Sequence, residues 1–481
     1  MRAPGLPIVA AGVLACAVVT SATPAVRATQ TRAGATRITW EDAASLRAPL
    51  EKQGITQAAF ASYVERTHRD NVRRVREGDL DHLIFYILQS TRFTKATPIE
   101  PALSAKALVE GLDEPQREAF LGNPAGAAAP VSPPVRARIS AFVQELGNPA
   151  RDRRAAYFYS LVHTTFPERG QRESALVREY LRVMRFLYQK EFVAQQSGAK
   201  AVAELYRTRG LSTDTAVESG YVIHSGLGIV RSLDPARRIR RVLIVGPGLD
   251  LAPRTGLLEA GPPESYQPWA VIDALVSLGL SRADDLEVVG ADINPRVIER
   301  LNASRAEPPV LTLVSGIRES DTVSLSAEYR DYFTRWGGVI GEVIPAKRDP
   351  GTVAPGHLVK TVRVGTKAAG AVRAVPLDIV TERLGAPGFD LIIATNILPY
   401  FDDVQLMLAI SNIAAMLAPG GVFLHNESRE ALGEITTAVG LPYEQSRHVV
   451  IASVRGAPRP GSGQTPAPLF DSVWLHRKSA Q

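Results

Sequence analysis

The sequence predicts an α/β protein in which a doubly wound, mostly parallel sheet is preceded by an α-helical region. Up to about residue 230, apolar residues recur at the three-to-four spacing of amphipathic helices. After Pro235, short apolar runs alternate with helical patterns, as in parallel sheets that are covered on both faces. The last two strand-like runs have no helix between them, which predicts an antiparallel edge near the carboxyl terminus.

The amino-terminal part is predicted to form several amphipathic helices. The helical spacing is clearest at residues 70–76, 137–146, 154–162 and 174–194. A linker rich in Pro, Ala and Gly, at residues 122–134, divides this region, since these residues interrupt helices. We therefore predict a helical region over residues 29–235 and a sheet-bearing domain over residues 236–481.

Short apolar runs that end in a turn predict the strands. Parallel strands are predicted at residues 241–246, 286–291, 389–395 and 421–425. The segments 448–454 and 471–476 are separated by a stretch rich in Gly and Pro. They are predicted to pair as a hairpin-like antiparallel edge.

Composition and charge exclude several classes of protein. The 481-residue chain has a net charge of +6, which at this length is too small a bias for a nucleic-acid-binding surface. Its one cysteine, Cys16, allows neither an internal disulfide nor a cysteine-based zinc or iron–sulfur site. The histidines are scattered without metal-ligand spacing, and we predict no metal site and no nucleic-acid partner.

The amino terminus predicts export. Arg2 precedes an apolar run at residues 8–19 that is too short to span a bilayer comfortably, and small residues follow it. Residues 1–28 are therefore predicted to be a signal peptide, and the protein to be periplasmic or secreted. The alternatives are lipid anchoring at Cys16, an uncleaved anchor, or a misassigned start, which would leave the protein in the cytoplasm. No second apolar run has membrane length.

Two motifs follow predicted strands and bring ligand-binding chemistry to one edge of the sheet. Gly246 and Gly248, in VGPGLD, permit a tight turn and a close approach of the backbone to a ligand, although a plain turn has the same pattern. Asp292, in GADINP, offers two carboxylate oxygens to a ribose. The alternative is that Asp292 only starts the helix that Asn294 caps. An inserted loop at residues 251–267 explains the long separation of the two motifs.

Two further motifs are FDLIIATNIL at residues 389–398 and LAPGGVFL at residues 417–424. With the two motifs above, they resemble the class I S-adenosylmethionine-dependent methyltransferases over about residues 238–478. The resemblance implies a Rossmann-like methyltransferase sheet, S-adenosylmethionine as cofactor and a methyl acceptor as partner. The segments DYFTR (residues 331–335) and NILPYF (residues 396–401) are similar to the chemoreceptor glutamate O-methyltransferases, which implies a protein carboxylate as acceptor; a small molecule fits equally well.

Carried over residue by residue, the resemblance implies a cofactor site. Gly246 and Gly248 line the methionine part, Asp292 binds the ribose with Ile293 beside it, Asp378 and Ile379 lie at the adenine, and Asn396 faces the transferred methyl group. Two positions depart from the family: Ile244 stands where an acid is usual, and Asp250 stands at the third glycine position. Either Asp250 replaces the missing acid as a cofactor ligand, or donor binding is weakened or lost.

Methyl transfer from a sulfonium depends on alignment and on the exclusion of water. We predict Asn396 and Tyr400 as the catalytic residues. An amine or hydroxyl acceptor would need a proton acceptor, for which Tyr400, Asp402 and His425 are candidates, whereas a carboxylate acceptor needs none. The alternatives are that Tyr400 is a core aromatic residue, His425 a structural histidine and Asp402 a helix cap.

Three further hypotheses concern a lid over the donor site and two functions other than methyl transfer. Residues 214–220 and the following residues 221–224 are predicted to cover the donor site because they precede the first strand. A non-catalytic binding or scaffold protein is the main rival, favoured by Ile244 and by the export signal. The other rival is a dinucleotide-dependent oxidoreductase.

Overall fold

The computed structural model describes residues 34–122, 129–194, 199–252, 259, 261–345, 356–385, 388–455 and 467–479. The predicted signal peptide at residues 1–28 lies outside these residues, as does Cys16. The chain from Gly34 to Gln481 forms one compact unit. None of the helices described in it is long and apolar enough to cross a membrane.

Helices dominate the first half of the described chain, and strands alternate with helices in the second. The helices are α1 (Arg47–Lys52), α2 (Gln57–Gln89), α3 (Pro101–Glu110), α4 (Glu114–Gly122), α5 (Pro133–Glu145), α6 (Arg153–Thr165), α7 (Arg172–Tyr188), α8 (Ala199–Thr208), α9 (Glu218–Leu233), α10 (Gln267–Ser277), α11 (Pro295–Ala303), α12 (Ala327–Arg335), α13 (Thr366–Ala371), α14 (Asp403–Met416) and α15 (Ala431–Ala438). The strands are β1 (Ala35–Arg37), β2 (Arg241–Val245), β3 (Glu287–Asp292), β4 (Val310–Val314), β5 (Val323–Leu325), β6 (Gly341–Ile344), β7 (Val359–Val364), β8 (Val372–Pro376), β9 (Glu382–Leu384), β10 (Phe389–Ala394), β11 (Leu417–His425), β12 (Tyr443–Val454) and β13 (Ala467–Arg477).

The central sheet has the strand order β5-β12-β13-β11-β10-β2-β3-β8. Strands β11, β10, β2, β3 and β8 pair in parallel, whereas β13 runs antiparallel to both β11 and β12. The predicted doubly wound, Rossmann-like sheet with an antiparallel carboxyl-terminal edge is therefore confirmed. One detail differs, because β13 lies inside the sheet and β5 pairs with the outer side of β12.

The parallel strands are short and apolar because both faces of the sheet are covered. In β2, Val242 and Ile244 belong to one hydrophobic cluster, and Leu243 and Val245 belong to another. Successive side chains of a strand point to opposite faces, so each face buries a core of its own. Helices α9 and α10 contribute to the first cluster, and α2 and α14 to the second.

The amino-terminal segment packs directly on the sheet. Strand β1 pairs antiparallel with β9, and Trp40 and Phe60 lie in the same cluster as Leu243 of β2. A third cluster fills the bundle formed by α2, α3, α5, α6 and α7. The division predicted between residues 235 and 236 thus marks a change of secondary structure, while both parts belong to one compact unit.

A second, three-stranded sheet with the order β4-β7-β6 lies between β3 and β8 in the chain. The sequence analysis did not predict it. Its strands are partly exposed, and residues such as Val310 and Val343 face solvent. Strands β6 and β7 therefore lack the continuous apolar runs that mark β2 and β10.

Candidate functional site

A crevice opens at the carboxyl ends of the adjacent strands β10, β2, β3 and β8. Its volume is about 700 Å³, including space open to solvent. The predicted site residues that line it are Gly246, Gly248, Asp292, Ile293, Asp378, Ile379, Asn396 and Tyr400. The helical part of the chain adds Asn71, Val75 and residues 211–215. The fold thus brings the predicted cofactor-binding and catalytic residues into one cavity, except for Asp250.

Residues 211–215, here called the strap, lie across the glycine turn at residues 246–248. The backbone N–H of Leu249 donates to the carbonyl of Thr213 at 2.7 Å, and that of Thr215 donates to the carbonyl of Leu249 at 3.2 Å. The hydroxyl of Thr215 donates to the carbonyl of Pro247 at 3.1 Å. These bonds fix the strap on the turn, so the strap forms one wall of the crevice.

The two glycines of the turn have no room for a side chain. Gly246 and Gly248 have φ values of 68° and 62°, in the left-handed region that favours glycine. A Cβ on Gly246 would lie 2.6 Å from Cγ2 of Ile397, and a Cβ on Gly248 would overlap the hydroxyl of Thr215. The sequence analysis attributes these glycines to the approach of a ligand. The structure adds that contacts within the protein itself also require them.

Asp292 lies at the end of β3, almost fully buried beside the glycine turn. Its Oδ1 accepts the backbone N–H of Asn294 at 2.8 Å, and its Oδ2 accepts that of Gly248 at 3.4 Å. Burial, with a smaller contribution from the charge of Asp79, raises the pKa of Asp292 to about 7. The cap of α11 is Asn294, whose side chain accepts the N–H of Arg296 at 3.0 Å. Capping the helix therefore does not occupy Asp292.

Asp378, just after β8, is held by helix α2. The side-chain amide of Asn71 donates to both carboxylate oxygens at 3.2 Å, and Nδ1 of His68 lies 3.1 Å from Oδ2. Asn71, Val75 and the strap are the lining residues that sequence reasoning missed. The motifs that identify the site all follow strands, and nothing in the helical pattern of α2 marks Asn71 as different from other polar residues.

Asn396, at the mouth of the crevice, has a strained backbone. It is the one described residue other than glycine with a positive φ, 61°. Its Nδ2 donates to Oγ of Ser219 at 2.9 Å, and its Oδ1 accepts from Nδ2 of Asn426 at 2.7 Å. Such a conformation costs about 1–3 kcal/mol and persists where the surroundings hold it. The network therefore fixes the exposed side chain of Asn396 at the rim.

Tyr400 lines the crevice as a buried aromatic residue. Its ring packs edge to face on Tyr206 at a centroid distance of 5.4 Å, and its carbonyl accepts from Arg74 of α2 at 3.1 Å. Burial raises the pKa of Tyr400 above its ordinary value of 10.0. The phenol is thus protonated at neutral pH and cannot remove a proton there. A catalytic role for Tyr400 stays a prediction and is limited to positioning.

The other two candidates for a general base do not line the crevice. Asp402 caps α14 in a capping box with Gln405, as the alternative interpretation holds. His425 is buried between Phe423 and His476, with ring centroids 4.8 Å and 5.1 Å away, and burial lowers its pKa well below the ordinary range. Within the described residues, no three His, Cys, Asp or Glu side chains are grouped so that they could hold a metal ion.

Asp250 does not line the crevice, and the prediction that it binds the cofactor is corrected here. Its Oδ2 accepts from the hydroxyl of Tyr266 at 3.0 Å, and its Oδ1 accepts the N–H of Ala252 at 3.2 Å. Leu249, which follows the glycine turn, pairs with Asp214 of the strap and does not line the crevice either. Asp250 therefore stabilises the segment that follows and does not replace the acid missing at Ile244.

The predicted lid is corrected in part. Tyr221 and His224 of α9 line a separate groove together with Tyr332 and Arg335, and they do not line the crevice. Tyr221 packs on Tyr332 with ring centroids 5.3 Å apart. Within the segment predicted to cover the site, only residues 214 and 215, which belong to the strap, line the crevice.

No protein-family model and no curated protein matches the chain. Among solved structures, it is similar to N-methyltransferase NodS from Bradyrhizobium japonicum WM9, with 14% identity, 57% of this chain and 96% of that one covered, and a TM-score of 0.27. It is also similar to magnesium protoporphyrin IX methyltransferase from Synechocystis PCC 6803, with 10% identity, 61% and 94% covered, and a TM-score of 0.26. Because these identities and TM-scores are low, a function has to be argued from the crevice itself.

Proposed function

We propose that the protein is an S-adenosylmethionine-dependent methyltransferase that binds its methyl donor in the crevice. The observation that carries the proposal is the convergence of the glycine turn, Asp292, Asp378 and Asn396 in one cavity. This cavity lies at the carboxyl edge of the sheet, next to β2, where the strand order reverses. In doubly wound sheets, ligands bind at that point.

The residues of the crevice suit the parts of such a donor. The carboxylate of Asp292 can accept hydrogen bonds from both hydroxyls of a ribose. Val245, Ala291 and Ile379 provide apolar walls for a purine ring. Bound there, S-adenosylmethionine would supply a methyl carbon made electrophilic by the sulfonium.

The acceptor that fits the site best is one that enters already ionised, such as a carboxylate. Tyr400 is protonated at neutral pH, and neither Asp402 nor His425 lines the crevice. A carboxylate has no proton to lose, so none of these groups has to act as a base. The protein then has two roles in the reaction. The strap excludes water from the crevice, and Asn396 orients the acceptor.

Calorimetric titration with S-adenosylmethionine, S-adenosylhomocysteine and NAD tests the donor. We expect both sulfur compounds to bind and NAD not to bind. Asp292→Ala is expected to weaken binding about 10-fold or more, because a charge-assisted hydrogen bond contributes about 1.5–3 kcal/mol. Asp284→Ala, at an exposed acid on the surface, is the control and should not change the affinity. Binding of neither sulfur compound would favour the scaffold function, and binding of NAD alone would favour the oxidoreductase.

The acceptor class is tested with a donor that carries a labelled methyl group. The purified protein is incubated with candidate carboxylate and amine acceptors, and the products are treated with base. Methyl esters release methanol under these conditions, whereas methylated amines keep the label. Label that stays on the product after this treatment would exclude a carboxylate acceptor.

We also propose that residues 1–28 direct export. The support is the basic start followed by a short apolar run and small residues. Fractionation of the full-length protein with a carboxyl-terminal tag tests this. A shortened protein outside the cytoplasm is expected, and an unprocessed cytoplasmic protein would contradict the proposal.

A further inference from the structure

Asn71, in helix α2, places a buried acceptor without a partner in the wall of the crevice. The residue is 1% exposed and lines the cavity. Its Oδ1 has no hydrogen-bond partner within the described residues. Its Nδ2 donates to both oxygens of Asp378, which fixes the orientation of the amide, since only the NH₂ group can face a carboxylate. The oxygen is therefore the atom left for a ligand.

Asp378 itself has little capacity left to accept from a ligand. Its Oδ1 accepts from Asn71 at 3.2 Å and from the backbone N–H of Val380 at 3.1 Å. Its Oδ2 accepts from Asn71 at 3.2 Å and lies 3.1 Å from Nδ1 of His68. A carboxylate has about four lone-pair positions, and these contacts use all of them when Nδ1 of His68 carries its proton. The carboxylate thus orients Asn71.

We propose that Oδ1 of Asn71 accepts a hydrogen bond from the exocyclic amino group of the bound purine, so that helix α2 determines the choice of base. The inference rests on the proposed binding of an adenosyl donor in the crevice. A buried acceptor without a partner is unfavourable, and a ligand donor removes that penalty. A purine with a 6-oxo group presents a second acceptor to Oδ1 and is rejected. The helical part of the chain is then part of the donor site.

The test compares two ligands that differ at position 6 of the purine and, as a consequence, in the proton on N1. S-adenosylhomocysteine carries a 6-amino group, and S-inosylhomocysteine carries a 6-oxo group. Calorimetry on the full protein should give a preference of about 10-fold or more for the adenosyl compound. In Asn71→Ala the preference should fall towards one, because the acceptor that rejects the 6-oxo group is gone.

Asn412→Ala is the matched control. Asn412 is a buried asparagine of α14 whose Nδ2 donates to the carbonyls of Ile379 and Val380 at 2.8 Å and 3.2 Å, and it does not line the crevice. Its loss disturbs the same turn after Asp378 without removing an acceptor from the cavity. In Asn412→Ala the affinities for S-adenosylhomocysteine and S-inosylhomocysteine are expected to change by the same factor. The preference for the adenosyl compound should therefore stay as it is in the unmodified protein.

The outcomes separate this inference from the proposed function. If the unmodified protein binds neither compound, the proposed function fails. If it binds them and Asn71→Ala keeps the full preference, the role of Asn71 is refuted while donor binding stands. If Asn71→Ala does not fold, Asn71→Ser takes its place, since its shorter side chain withdraws the acceptor and keeps a polar group near Asp378. An unchanged preference in that variant also refutes the inference.

Discussion

Replacing Gly78 by alanine is expected to destabilise the protein, although Gly78 lies inside helix α2. Alanine is favoured over glycine by about 1 kcal/mol in a helix interior, so helix propensity alone predicts a more stable protein. The strap occupies the space that the methyl group needs. A Cβ on Gly78 would lie 2.5 Å from the carbonyl carbon of Leu211 and would overlap its oxygen. The N–H of Leu211 donates to the carbonyl of Arg74 at 2.8 Å, which holds this backbone against the helix.

The cost of the clash exceeds the gain in propensity. Overpacking of a close contact typically costs about 1–3 kcal/mol, which leaves a net loss of up to about 2 kcal/mol. For a unit of this size, 1 kcal/mol corresponds to a shift of about 1 °C in Tm. The variant should also bind S-adenosylhomocysteine more weakly than the unmodified protein, because the displaced strap lines the crevice.

Gly228→Ala is the matched control for this prediction. Gly228 lies inside α9, and no heavy atom lies within 4 Å of the Cβ position. This variant should therefore show the ordinary gain of about 1 kcal/mol, seen as a rise in Tm. Thermal unfolding followed by circular dichroism compares the two variants. If Gly78→Ala raises Tm as much as Gly228→Ala does, the packing of the strap on α2 is refuted.

Three further predictions concern Asp292, Asp402 and Asn396. The raised pKa of Asp292 means that the folded state holds its proton more tightly, so this group stabilises the protein most below its ordinary pKa of 3.8, and the contribution is lost as the pH rises to about 7. Asp292→Asn cannot lose a proton, so its Tm minus the Tm of the unmodified protein should increase between about pH 4 and pH 7. A difference in Tm that stays the same over this range would contradict the raised pKa. Asp402→Asn keeps a cap on α14 and should leave both stability and methyl transfer unchanged. Asp402→Ala removes the cap and should lower the free energy of unfolding by about 1 kcal/mol. Slower methyl transfer by Asp402→Asn would show that Asp402 acts as a base. Asn396→Ala should be less stable than Asn396→Gly by about 1 kcal/mol in urea unfolding, because glycine adopts a φ of 61° without strain, and equal stabilities would show that the site is not strained.

The buried carboxylate of Asp79 connects the helical part of the chain to the crevice through hydrogen bonds. Asp79 of α2 accepts from the hydroxyl of Thr213 in the strap at 3.0 Å and from Nδ2 of Asn294, after β3, at 3.2 Å. One carboxylate thus joins the helix, the strap and the turn that carries Asp292. Helix α2 therefore helps to hold the walls of the crevice in place.

The sequence analysis was most accurate where a signal is local. The predicted strand at residues 286–291 matches β3 to within one residue at each end, and the prediction at residues 241–246 matches β2 equally well. Buried parallel strands are continuous apolar runs that end in turn residues, so neighbouring residues suffice to identify them. Helix α2 was predicted only in part, because its polar residues become buried as well, as Asn71 and Asp79 do.

By itself, the sequence determined a helical first half, the alternation of buried strands and helices after it, the glycine turn and the position of Asp292 at the end of a strand. These features depend on periodicity and on turn chemistry, which act over a few residues. Only the tertiary structure decided that α2 and the strap wall the crevice, that Asp250 is drawn away from it, and that Asn71 meets Asp378 across 307 residues of chain. The sequence around a polar residue in a helix does not indicate its hydrogen-bond partner, because the packing of the whole fold determines which residues meet.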